Sequence, residues 1–268
     1  MSSEAKADEP ELLQAAADDD NQIVRQYTTV QMDPFRGPTV FITFETKAQR
    51  KRFVRNVFCI VAGMLAFSVI AGILPFTDKR IKSFFLEYFW IAYICLAIYL
   101  ITMILLSCVG KIRHKSPYNW ICMIIISLSL NGCLMVVVSA YQLKSVGIAL
   151  GVTVICVIVV SLYATFTKSD FTTCWALFWA ILVLIIIQVV VLLLAIFVFP
   201  QYFEILDVIY STIGAIICII YLVVDIQMIM GNKREAFRPN DYIYGAVQLY
   251  TDIIMLFMYI LRLTRNQD

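Results

Sequence analysis

The sequence predicts an all-α integral membrane protein, a bundle of seven transmembrane helices. Three observations predict it. Of the 268 residues, 61% are hydrophobic and 15% charged, whereas soluble domains sit near half apolar and a quarter charged. The charges are unevenly spread: residues 1–55 hold 17 of the 40. The 117 residues from Ser116 to Asn232 hold only Lys144, Lys168, Asp170, Glu204, Asp207 and Asp225. Finally, seven apolar runs reach the roughly 20 residues that a helix needs to cross about 30 Å of hydrocarbon. No water-soluble fold covers so much apolar chain with so few charges. A secreted or cytosolic enzyme is excluded.

Residues 1–45 form an acidic tail, with Glu4, Asp8, Glu9, Glu11, Asp18, Asp19 and Asp20. It lacks the basic start and apolar core of a signal peptide. With too little apolar surface to offset the entropy of ordering, it is expected to lack fixed structure. A cationic cluster follows: Lys47, Arg50, Lys51, Arg52 and Arg55. The transmembrane domain runs over 46–262, with spans at about Val57–Phe76, Tyr88–Val109, Asn119–Tyr141, Val146–Phe166, Thr173–Phe199, Val208–Met230 and Tyr242–Leu261. Turn residues such as Ser116-Pro117 and Arg238-Pro239-Asn240 separate them. The seventh is the most polar, carrying Gln248, Thr251 and Asp252 near its middle. Such a helix belongs inside the other six rather than against lipid. Residues 263–268 are a short C-terminal tail.

A cytosolic N-terminus puts twelve lysines and arginines near the span ends on the cytosolic side and six on the other. Positive charge accumulates on the cytosolic side of membrane proteins, so the N-terminus is read as cytosolic.

Other chemistries lack their residues. A net charge of +2 gives no basic face for nucleic acid. The eight cysteines fall in or beside apolar runs and read as small buried hydrophobes. His114 is the only histidine and no Cys-x-x-Cys occurs, so a zinc site lacks ligands. No cofactor is expected. The partner expected from composition is the lipid bilayer.

Two carboxylates lie inside apolar runs, Asp225 in the sixth and Asp252 in the seventh. A charged Asp at mid-helix costs about 2.5–3.5 kcal/mol on insertion scales, and such residues mark ion or proton paths. Asp225 lies about 8 Å and Asp252 about 15 Å from the cytosolic ends of their helices, at 1.5 Å per residue. They can therefore share a site. Tyr244, Gln248 and Asp252 repeat every four residues and make one polar stripe. Two carboxylates in a low-dielectric site cannot both ionise cheaply and hold one proton over a wide range. Doubly ionised, Asp225 and Asp252 offer up to four oxygens to a hard cation. Calcium takes six to eight, so the site is weak and transient, which suits permeation. The sequence contexts Val224-Asp225 and Thr251-Asp252 lack the signatures of intramembrane aspartyl proteases, and no enzyme activity is expected.

The segment from Val223 to Phe257 carries Asp225, then Gly231-Asn232-Lys233, Asp241-Tyr242 and Leu249-Tyr250-Thr251-Asp252. This pattern resembles the transmembrane Bax inhibitor motif family, in its lifeguard branch. Arg52-Phe53-Val54-Arg55-Asn56-Val57, the stretch from Tyr141 to Val146 and that from Thr167 to Thr172 fit as well. The resemblance covers nearly all of residues 45–262. It implies a seven-helix bundle with helix seven central, a pH-sensitive calcium leak through endoplasmic reticulum or Golgi membranes, and restraint of apoptosis. It also implies calcium ions and protons as partners, together with apoptosis-regulating membrane proteins. The family's aspartate pair falls on Asp225 and Asp252, and its arginine latch on Arg113 or Lys111. Val224 and Thr251 depart from the family pattern, as does the absence of a proline-, glycine- and glutamine-rich N-terminal region. A membrane adaptor acting through protein binding and a proton-coupled cation exchanger are the competing readings.

The charge asymmetry makes a direct prediction. In sealed microsomes, a tag before Met1 is digested by added protease, whereas a tag after Asp268 is protected.

Overall fold

The computed structural model describes residues 28–33, 37–42, 47–109, 113, 117–167, 203–230 and 241–264. Two compact units divide at Gln49. In the first, β1 (Thr28–Asp33) pairs antiparallel with β2 (Gly37–Ile42), Val30 opposite Val40. Both strands lie within the tail that the sequence reads as lacking fixed structure. Thr, Val and Ile in Thr28–Asp33 and Gly37–Ile42 suit a pleated strand, and most of the tail's acidic residues precede them.

The second unit is helical among the described residues. Its helices are α1 (Lys47–Thr77), α2 (Lys79–Glu87), α3 (Ile91–Cys108), α4 (Tyr118–Ser139), α5 (Leu143–Phe166), α6 (Phe203–Met230) and α7 (Tyr242–Leu263). All but α2 are long and apolar enough to cross a membrane. These six match six of the expected spans. The remaining one, Thr173–Phe199, lies outside the described residues.

Burial follows the helical period. On α1, Phe53, Val57, Val61, Met64, Ser68 and Ala71 are buried at intervals of three or four, one face of a 3.6-residue helix. The faces between them are apolar too, as with Ile70 and Ile73, because lipid rather than water covers them. Cys59 and Cys108 are also exposed, which corrects the reading of every cysteine as buried. An apolar thiol is tolerated on the lipid side.

Helix α2 was not expected as a helix. Asp78 caps it by accepting from the Arg80 backbone N–H at 2.8 Å. None of its residues is buried, and its mix of Lys79, Arg80 and Lys82 with Phe84 and Phe85 suits the membrane–water boundary.

Helix α7 packs against α4, α5 and α6. Its most apolar stretch is 61% buried, against 17% for α3 and 28% for α1. At its centre Tyr250 is fully buried. Its phenolic oxygen lies 2.8 Å from Ser68 Oγ of α1 and accepts from Asn131 Nδ2 of α4 at 3.0 Å. Three helices thus meet at one hydroxyl. Elsewhere α3 and α4 approach closely at Gly132, where an added Cβ would stand 2.6 Å from Cys95 Sγ.

Replacing Tyr250 by Phe leaves Ser68 and Asn131 without that partner and costs about 1–3 kcal/mol. Thermal unfolding of the protein in detergent measures the loss. Combining Tyr250→Phe with Asn131→Ala costs less than the sum of the two, because they share one network.

Candidate functional site

A spacing of three to four residues builds the polar face of α7. Asp241 stands at its N-cap, and Tyr244, Gln248 and Asp252 follow down one side. On α6, Asp225 stands five residues before the end at Met230. The two helices run antiparallel: Asp207, near the start of α6, meets Arg262, near the end of α7, at 3.4 Å.

Side chains on a helix lean towards its N-terminus. On antiparallel neighbours, Asp225 and Asp252 therefore lean towards each other from slightly different depths. The structure brings the two carboxyl groups within electrostatic reach of each other. A hydrogen bond between two carboxyls needs a proton on one of them, since an ionised carboxylate only accepts. Asp225 is 5% exposed, so water does not screen it. Tyr99 of α3 and Cys218 and Tyr221 of α6 lie within electrostatic reach of Asp252. Asp252 Oδ2 and Gln248 Oε1 are buried with no hydrogen-bond partner among the described residues. A buried acceptor without a donor is costly and is the kind of group that takes up water, a proton or a cation. Among the described residues no three His, Cys, Asp or Glu side chains gather into a metal group.

Arg113 is placed elsewhere than the expected latch requires. Its Nη2 lies 2.6 Å from Asp241 Oδ2, and its guanidinium sits 3.9 Å over the Tyr244 ring. Tyr244 in turn lies 3.4 Å from Ser107 Oγ, hydroxyl to hydroxyl. Asp241 precedes Asp252 by eleven residues, about 16 Å along a helix. Arg113 therefore closes the end of the polar face and does not touch the aspartate pair. Ser107, near the end of α3, and Arg113 both lie where α7 begins, and Asp241 there is 1% exposed. Lys111 lies outside the described residues.

Asp241 is the partner that reasoning from spans missed. An Asp directly before an apolar helix reads as an ordinary cap, and only the fold shows that it is buried under a guanidinium.

A family model described as "Inhibitor of apoptosis-promoting Bax1" matches residues 50–268. The chain is 31% identical to Protein lifeguard 3 of Mus musculus over 230 residues, 84% of this chain and 72% of that protein. The human Protein lifeguard 3 is 30% identical with the same coverage. Bax inhibitor 1 of Saccharomyces cerevisiae is 25% identical, covering 88% of this chain and 89% of its own length.

The buried ion pair predicts an asymmetry between two substitutions. Arg113→Met removes a charged hydrogen bond to the buried Asp241 carboxylate and costs about 1.5–3 kcal/mol of stability. Arg113→Lys keeps the charge but loses the planar stack on Tyr244, and unfolding in detergent registers a smaller loss.

Proposed function

The chain belongs to the transmembrane Bax inhibitor motif family, in its lifeguard branch, and we propose that it is a proton-gated calcium leak pathway restraining cell death. The closeness of the Asp225 and Asp252 carboxyls is the observation that supports this reading. In it, the two carboxyls share one proton between α6 and α7. While the proton stays, the pair is compact and offers little to a cation. Without it, two charges in a poorly screened site repel, and their oxygens become ligands for a hard cation.

The unpartnered Oδ2 of Asp252 and Oε1 of Gln248 add acceptors one turn apart. With four carboxylate oxygens and one amide oxygen, the site stays below the six to eight that calcium prefers. A weak site lets an ion leave as readily as it enters. It forms no resident metal centre and drives no reaction. Protons and calcium compete for the same oxygens, so calcium occupancy rises with pH.

The complete bundle in this reading has seven spans with α7 at its centre. The apolar run Thr173–Phe199 supports the seventh span, and the burial of α7 supports its position. The membrane is that of the endoplasmic reticulum or Golgi, with the N-terminus in the cytosol. Lowering of stored calcium there is the route by which the protein restrains apoptosis. The restraint of apoptosis itself agrees with the description of the matching family.

Calcium efflux from vesicles containing the purified protein tests the pathway. Wild-type flux varies with pH, and Asp225→Asn or Asp252→Asn flattens the profile. Two unchanged profiles overturn the gating role and favour an adaptor that acts by protein binding. Dependence of flux on an opposing ion gradient overturns the leak in favour of exchange.

A further inference from the structure

A cleft of about 360 Å³ opens between α1, α4, α5 and α7. It lies apart from the aspartate pair, towards the ends of α1, α4 and α7 and the start of α5. That is the end of the bundle opposite Arg113 and Asp241. Its volume far exceeds the water-sized voids of packed interiors.

The walls are apolar throughout. The lining hydroxyls are turned away: Ser68 Oγ donates to the Met64 carbonyl at 3.0 Å, and Thr153 Oγ1 to that of Ala149 at 2.7 Å. Nothing is left to hold water, since a buried water needs two to four polar partners. The floor is buried, with Val138 and Ile254. The rim is not: Ile73 is 52% and Val154 49% exposed. The cleft is therefore continuous with the lipid-facing surface of the spans, not sealed inside the bundle.

Cationic groups stand at the mouth. The Lys82 Nζ of α2 lies 5.5 Å from the ring of Phe76, which lines the cleft. Lys144, exposed, follows the lining residue Leu143 in the first turn of α5, at the same end of the cleft. An apolar slot at membrane depth below a pair of ammonium groups matches one occupant in both of its parts. We propose that this cleft binds a phospholipid, one acyl chain lying between α1 and α5 and the phosphate held by Lys82 and Lys144.

The test uses the full chain in nonionic detergent, titrated with a phosphatidylglycerol that carries a diazirine near one acyl terminus. Crosslinks are mapped by mass spectrometry. Residues lining the cleft label saturably, while the outer face of α5, at Ile155 and Val159, labels in proportion to probe. Added Cβ atoms at Gly72 and Gly147 meet nothing within 4 Å, so Gly72→Leu with Gly147→Leu fills the slot and abolishes the saturable label. Lys82→Gln with Lys144→Gln keeps the label but shifts its midpoint to higher probe concentration. Linear, unsaturable labelling of the cleft overturns the proposal, and that readout needs no variant. Saturable labelling unmoved by the lysine changes overturns the phospholipid in favour of a bare fatty chain. A crosslink to a second copy of the chain, in place of lipid, overturns it in favour of an interface.

Discussion

Hydrocarbon supplies no hydrogen-bond partner, and every polar side chain in the spans is placed by that constraint. Many hydroxyls turn back on their own helix: Thr102 donates to the Ile98 carbonyl, Ser139 to that of Met135 and Thr212 to that of Val208. Such bonds satisfy the group with no help from a neighbour. Asparagine, tyrosine and aspartate side chains reach further and need a second helix. The polar residues of α7 are of this kind. Its mean hydropathy is 1.5, against 2.4 to 2.6 in the other described spans, and it is the most buried. The least apolar helix lies deepest because only protein can satisfy it.

The same constraint made part of the molecule legible in advance. Charge is so scarce between Ser116 and Asn232 that a carboxylate far from a span end stands out, and Asp225 was found that way. Asp252 followed from the stripe with Tyr244 and Gln248. The six spans were legible from length alone. The start of α1 was not: the helix begins at Lys47, ten residues before the apolar run, since Lys and Arg are good helix formers that a hydropathy reading discards. Helix α2 escaped because nine amphipathic residues resemble a polar link. Arg113 was singled out, but its partner was not, because pairing across 128 positions depends on which helix ends share a side of the membrane.

Asp252 and Tyr250 divide α7 between two kinds of polar contact. Two residues apart, they point about 200° apart around the helix. Tyr250 faces α1 and α4, where its bonds join three helices. Asp252 faces α6 and keeps one oxygen without a partner. On one side the Tyr250 hydroxyl is bonded, and on the other a carboxylate oxygen is not.

The ion pairs at the two ends of α7 limit how it can move. Arg113 grips Asp241 at its start, and Arg262 reaches Asp207 near its end. Sliding along the axis breaks one pair or the other, and rolling about the axis tears Tyr250 from Ser68 and Asn131. Helix α7 is thus tied to its neighbours at both ends and at its middle.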